Sequence, residues 1–392
     1  MNAPVSKGGK PGGSKAGGKR PGPRRKINLA LQGGGAHGAF AWGVLDRLLE
    51  DGRFEIEGIS GTSAGAMNAV ALVDGFHTGR AEGARAKLRA FWEAVGDDGR
   101  MAPPLRTPLD IWLGNWSLSN SPLLFYQNML RSMFSPYEFN PFDVNPLKDI
   151  VEEMIDFDNV RACDSIKLFI AATNVWNGKV RIFEDGELGV DPVLASACLP
   201  TLFQAVEIDG VPYWDGGYMG NPVLFPFIYE TETDDVVLIQ INPIERTETP
   251  RTSQEIANRI DEITFNASLL REFRAIDFVR RLIEEGSLAE DEYRALRMHR
   301  VEAAEELLAL SASTKQNTEP GFLDYLFGLG RKSADKWLEE ASDKVGHEPG
   351  IDLEKEIGYT LDADVPENVG GKAKVELKTR PARLKPKKAR KV

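Results

Sequence analysis

The chain has 392 residues, more than one average domain, and its 42% hydrophobic and 27% charged content is that of an ordinary globular protein, which excludes a globally disordered chain. The formal net charge of −11 is unevenly spread, because residues 1–26 carry eight Lys or Arg and no acid while residues 372–392 carry ten against Glu376 alone. An acidic body between basic tails is not the pattern of a nucleic-acid-binding domain, although each tail offers contacts for phosphates, acidic proteins or anionic membrane lipid.

Residues 1–25 are mainly Gly, Pro, Lys and Arg, too apolar-poor to offset their ordering entropy, and read as a disordered, solvated tail. No apolar stretch follows it as a secretory signal requires, and no apolar run approaches the roughly 18 residues that span a bilayer. Cys163 and Cys198 are the only cysteines and suggest neither a disulfide framework nor a metal site. The expectation is a cytoplasmic protein, peripheral at a membrane if it meets one.

Folding is predicted to begin near Lys26. Ile27–Leu31 is a short apolar run ending in glycines, a buried strand entering a turn, and Ala39–Leu49 has helical spacing. Phe54–Ser60 reads as a second strand and Ala64–Val73 as a helix of small residues. Residues 108–147 gather Trp112, Trp116, Phe125, Tyr126, Phe134, Tyr137, Phe139 and Phe142 among prolines without a clean period. They form either a loop anchored by aromatics or a cap over an apolar pocket. Leu168–Thr173 and Val236–Ile241 are further buried strands, with a hairpin at Asn177-Gly178 between Val175 and Ile182. Strands interleaved with helices predict an α/β fold with a largely parallel central sheet. Ile256–Ser311 is read as helical and residues 317–338 as a helical pair. The domain reading is therefore a core over 26–245, a helical C-terminal extension over 246–350 and a tail over 351–392.

Three sites carry chemistry. Gly61, Thr62, Ser63, Ala64 and Gly65 spell GxSxG between a predicted strand and a predicted helix, the setting of a nucleophile elbow, in which glycines admit a sharp turn and helix amides face the serine. Gly33, Gly34, Gly35, Ala36, His37 and Gly38 form a second glycine turn whose bare amides suit an anion. A nucleotide phosphate cradle and an oxyanion hole both fit, but neither the P-loop Lys-Ser/Thr nor GxGxxG spacing is present, and a serine elbow downstream favours the oxyanion hole. For a base, the chain offers only His37, His77, His299 and His347. A Ser-Asp-His triad through Asp215 and a late histidine is formally available, yet neither His299 nor His347 sits on a predicted strand-end loop. Asp215, followed by Gly216 and Gly217 at the end of the predicted strand Val211–Trp214, is the alternative, because burial raises a carboxylate's pKa toward working pH.

In this order the three motifs resemble those of the patatin-like phospholipases, namely GGGxxG at Gly33–Gly38, GxSxG at Gly61–Gly65 and Asp-Gly-Gly at Asp215–Gly217. The stretch from Ala195 to Pro200, with Thr201 to Phe203, is similar to the Ser/Ala-rich helix end that precedes the Asp motif. The resemblance covers about 27–245 and implies a three-layer α/β/α fold, Ser63 as nucleophile, Asp215 as base and the Gly33–Gly38 turn as oxyanion hole, with no metal or cofactor. Phospholipids, lysophospholipids or acylglycerols are the implied substrates, with Trp112, Trp116 and Phe125 as candidates for the acyl pocket. The family often has Arg or Lys where His37 stands here. Two rivals keep the fold: a membrane-associated lipid-binding scaffold with little turnover, and a polyester or thioester hydrolase.

Overall fold

A computed structural model describes residues 24–98, 106–246, 248–289 and 292–358, without the side chains of 253 and 254. The tail over 1–25 thus lies outside the described residues except for its last two, and the basic 372–392 segment lies wholly outside them. The chain runs through β1 (Arg25–Leu31), α1 (Gly38–Asp51), β2 (Phe54–Gly61) and a long α2 (Ala64–Asp97) that is kinked at Gly79 and Arg80. The aromatic segment follows as α3 (Pro108–Trp112), α4 (Pro122–Met133) and α5 (Pro136–Phe139), then α6 (Pro146–Met154) and α7 (Phe157–Arg161) lead to β3 (Lys167–Asn174) and β4 (Val180–Phe183). Next come α8 (Val190–Ser196), β5 (Val206–Ile208), β6 (Val211–Asp215), α9 (Pro226–Glu230) and β7 (Asp235–Ile239). The chain continues as α10 (Ser253–Glu284), β8 (Arg297–Val301), α11 (Ala304–Leu308), α12 (Pro320–Glu340) and α13 (Leu353–Glu356).

The sheet order is β5-β6-β3-β2-β1-β7-β8, with β4 on the other edge of β3. Pairs among β3, β2, β1, β7 and β8 are parallel, while β4 and β6 run antiparallel to β3 and β5 antiparallel to β6. Both faces of the central strands are covered, which explains why they read as continuous apolar runs. In β1, Ile27, Leu29 and Leu31 join the core under α1, α2 and α12, whereas Ala30 faces the opposite core with Leu269, Phe273 and Ile276 of α10. This is the three-layer α/β/α arrangement. The extension packs as intimately as any core element: a Cβ on Gly43 of α1 would lie 2.0 Å from Phe327 O, and one on Gly330 of α12 would lie 2.1 Å from Phe40 O.

Three sequence expectations change. The stretch Ile256–Ser311 is not helical throughout: α10 ends at Glu284, and Arg297–Val301 is β8, whose charged and short sequence RMHRV hides a strand at the sheet edge. Residues 317–338 hold one helix rather than a pair, because Gly328 and Gly330 do not break α12, Gly330 instead giving the close approach of its backbone to α1. The helix predicted over Ala64–Val73 continues to Asp97, so His77 lies inside α2 just before its kink.

The strand ends assemble one region. β2 pairs with β3 as far as Gly61 opposite Ile170, and beyond that point β6 takes over the same edge of β3, with Asp215 opposite Ala172. The end of β6 is thereby delivered to the end of β2.

Candidate active site

Ser63 sits between β2 and α2 with φ 54° and ψ −123°, a left-handed backbone that costs a non-glycine residue on the order of 1–3 kcal/mol. The surroundings impose it. A Cβ on Gly61 would lie 2.6 Å from Gly65 O, and one on Gly65 would lie 2.2 Å from Leu31 O, so β1, β2 and α2 meet with no room for a methyl group. Gly65 N–H donates to Thr62 O at 2.8 Å, the Thr62 hydroxyl donates to Gly220 O at 2.8 Å, and Ser63 N–H donates to Ser196 Oγ at 3.0 Å.

Asp215 closes β6 and is buried. Its N–H donates to Cys198 O at 2.8 Å, its carbonyl accepts the Thr173 hydroxyl at 2.8 Å, and its Oδ1 accepts Gly217 N–H at 2.7 Å. Its Oδ2 has no hydrogen-bond partner among the described residues. Burial pushes the carboxyl up to about 7, against the opposing pull of the Gly217 amide and of the Ser63 hydroxyl beside it. The C-terminal end of α8 and the residues just after it therefore brace both residues, Ser196 through the Ser63 amide and Cys198 through the Asp215 amide.

The glycine turn leans against this pair. A Cβ on Gly33 would lie 2.7 Å from Ser63 Cβ, and one on Gly38 would lie 2.7 Å from Ala64 Cβ. Three of its amides are occupied: Gly33 N–H by Asn221 Oδ1 at 2.7 Å, His37 N–H by Gly34 O at 3.2 Å, and Gly38 N–H by the carbonyls of Gly35 and Ala36. Those of Gly34, Gly35 and Ala36 donate to no acceptor among the described residues. These bare donors beside the serine suit an anion.

The histidines stand apart from the pair. His37 is buried, and because the Thr314 hydroxyl donates to Ser311 O at 2.6 Å, His37 Nε2 is the donor in its 2.7 Å bond to Thr314 Oγ1. Burial, helped by the charge of Lys315, pushes His37 down to about 3, so the turn carries a neutral imidazole. His299 is buried on β8 and bonded through Nε2 to Asp235 at 2.9 Å, while His77 and His347 are exposed. None of the four is bonded to Ser63 or Asp215.

Of the pocket candidates, Trp112 is 80% and Phe125 73% exposed, while Trp116 packs on Phe322 and Tyr325 of α12 beneath the Arg106 guanidinium. The segment is bonded on both sides of the site: Leu118 N–H donates to Ser313 Oγ at 3.0 Å, next to Thr314, and Gln204 Nε2 donates to Asn140 O at 2.9 Å, next to the Cys198 thiol's acceptor at Gln204 O.

Several supporting residues escaped the sequence reading. Gln32, Asn221, Asn242 and Asn266 form a buried amide cluster behind the glycine turn, bonded by Lys315, while Thr314 holds His37 of the turn and Ser196 holds the Ser63 amide. The one signal in the sequence is that Asn221 and Asn242 each precede a proline, as turn residues do. Among the described residues no group of three or more His, Cys, Asp or Glu is arranged to hold a metal ion, and no helix is long and apolar enough to cross a membrane.

Residues 29–228, half of the chain, match the patatin-like phospholipases. The chain belongs to that family, and with it to the lipid acyl hydrolases at family level. No match is found among curated proteins. Among solved structures, this patatin-like chain is similar to VipD from Legionella pneumophila, with 13% identity, 80% of this chain and 67% of the other covered, and a TM-score of 0.35. It is also similar to the type III effector protein ExoU, with 16% identity, 78% and 54% covered, and a TM-score of 0.26. A third is full-length ExoU in complex with SpcU from Pseudomonas aeruginosa, with 13% identity, 78% and 53% covered, and a TM-score of 0.25. The chain spans about half the length of the ExoU chains it matches.

Proposed function

We propose that this protein hydrolyses carboxylic esters of phospholipids or other acyl lipids through an acyl-enzyme on Ser63, with Asp215 as its base. One observation carries the reading: the strained Ser63 elbow faces a buried carboxyl whose Oδ2 has no hydrogen-bond partner among the described residues. In the first step Ser63 Oγ attacks the acyl carbonyl and its proton passes to Asp215. The resulting oxyanion is held by N–H groups of the Gly34–Ala36 stretch, with Gly33 and Gly38 giving the close approach, and collapse expels the alcohol, which takes the proton from Asp215. Water then attacks the acyl-enzyme, Asp215 accepts its proton, and Ser63 leaves with that proton as the acid is released. The residues complete this cycle without a cofactor.

An acyl-lipid substrate is supported by the apolar surface bonded to both flanks of the site. Trp112, Phe125 and Phe142 stand out from it into solvent, and few charges interrupt it. Phospholipids, lysophospholipids and acylglycerols all offer the ester and the acyl chain that such a surface meets.

Labelling tests the reading. A fluorophosphonate is expected to modify Ser63 in the wild type, with loss of labelling and of lipid products by mass spectrometry in Ser63→Ala. An unlabelled wild-type protein that binds vesicles would instead make it a lipid-binding scaffold, and full activity in Ser63→Ala would remove the serine from the mechanism.

A further inference from the structure

The glycine turn contains no charge of its own, since His37 is buried, neutral and turned toward Thr314. A cation nevertheless reaches the turn from outside it. The short 3-10 segment Ala312–Gln316 packs directly on the glycines, so that a Cβ on Gly35 would lie 2.4 Å from Lys315 O. The Lys315 ammonium donates to Asn242 Oδ1 at 2.7 Å, and the Asn242 side-chain amide donates in turn to Gly33 O at 2.7 Å. Among the described residues Lys315 makes no ion pair. Burial pulls the Lys315 ammonium below its ordinary pKa of 10.5, the charges of Glu262 and Asp261 of α10 work against that pull, Arg246 adds to it, and Glu262 itself is paired with Arg246 and Arg259.

Gly33 O belongs to the same peptide unit as Gly34 N–H, the first bare donor of the turn. A hydrogen bond to a carbonyl draws electron density through the amide and strengthens the N–H at its other end, more so when the donor chain ends in a charge and the site is dry. The chain Lys315–Asn242–Gly33 C=O is therefore aimed at the back of an oxyanion donor, while Gln32 Oε1, accepting the Asn242 backbone N–H at 2.9 Å, holds Asn242 in place, and Asn221 Oδ1, accepting Gly33 N–H at 2.7 Å, holds the preceding peptide.

We propose that Lys315 is a positioning residue for ester hydrolysis, which through Asn242 orients and polarises the Gly33–Gly34 peptide so that Gly34 N–H stabilises the developing oxyanion. The inference rests on the reading of Ser63 as nucleophile. It also assigns part of the catalytic power to a segment beyond residues 29–228, where the family match ends.

Lys315→Met keeps the stem and removes the charge, and Lys315→Arg keeps a charge. Activity is measured on a soluble p-nitrophenyl ester, with intact sites counted by complete fluorophosphonate labelling. Removing a whole oxyanion donor costs about 10²–10³ in kcat, so loss of its polarising partner is expected to lower kcat per labelled site roughly tenfold, with KM within about twofold. Affinity for a trifluoromethyl ketone, which forms the oxyanion on Ser63, should fall by the same factor, and Lys315→Arg should recover most of both. Wild-type kcat per labelled site in Lys315→Met overturns the proposal, as does a loss of activity that only follows a loss of labelled sites. Those results with an inactive Ser63→Ala leave the Ser63 reading standing. An active Ser63→Ala would remove that reading instead.

Discussion

The strand-end cluster and the aromatic segment of residues 108–147 place opposite demands on sequence. In the cluster, methyl groups on Gly33, Gly38, Gly61 and Gly65 would all fall within 2.7 Å of neighbouring atoms, and polar side chains are pinned by bonds from distant elements. In the segment, Trp112, Phe125 and Phe142 are 80%, 73% and 90% exposed, the first two on short proline-started helices and Phe142 in the turn after α5. Backbone chemistry admits few residues at each position. A surface that needs only apolar bulk admits many, so one region spells motifs and the other does not.

The largest effects are therefore expected in the cluster. Gly65→Ala drives a Cβ into the backbone oxygen of Leu31 in β1, a neighbour that cannot rotate away, and is expected to yield little folded protein by circular dichroism. Gly33→Ala puts a Cβ 2.7 Å from Ser63 Cβ and 2.8 Å from Thr62 O, less deeply than at Gly65, so the elbow must shift, with an expected loss of about 1–3 kcal/mol in denaturant titration and a fall in kcat of at least about 10²-fold. If Gly33→Ala kept wild-type kcat, the turn would not touch the reacting carbonyl.

Asp215→Asn keeps the shape and removes the base, and is expected to lower kcat by about 10⁴-fold. Its pH dependence has a definite sign. Burial raises the folded carboxyl from an ordinary 3.8 to about 7, so the protonated form favours the fold and that stability is lost as pH rises through about 7. Wild-type kcat/KM should accordingly rise with pH through about 7, as the base ionises. Asp215→Asn should melt several degrees above wild type at pH 8 and alongside it at pH 4, read by calorimetry. A melting difference that did not change with pH would mean that Asp215 is charged throughout.

The same contrast explains what was legible. The strands β1, β3 and β7 were visible because burial on both faces forces nearly unbroken apolar runs, and the Ser63 and Asp215 motifs were visible because their turns force glycine. β8 was not, since at the sheet edge Arg297, His299 and Arg300 find partners in Asp235 and Glu356 and need not be apolar. Lys315 and Asn242 were invisible for a different reason. Their roles exist only through contacts across 73 and 209 positions of sequence, and a lone Lys or Asn carries no mark of the peptide it will meet.

The smallest effect should come from the aromatic segment, and only on one kind of substrate. Trp112→Ser, Phe125→Ser and Phe142→Ser combined remove exposed rings and disturb no buried contact, so folding and hydrolysis of a soluble p-nitrophenyl ester should stay within about twofold of wild type. Each ring that enters a bilayer interface adds a fraction of the roughly 1.5–3 kcal/mol of full burial, so hydrolysis of phosphatidylcholine vesicles is expected to fall roughly tenfold. The ratio of the two activities is what matters. An equal fall on both substrates would make these residues part of the acyl pocket or of the fold, which their exposure speaks against; an unchanged ratio with full activity would leave lipid access to another face of the molecule. A selective loss on vesicles would divide the labour as the structure does, with chemistry fixed by crowded backbone at the strand ends and substrate reached through a loosely specified apolar surface bonded to both sides of it.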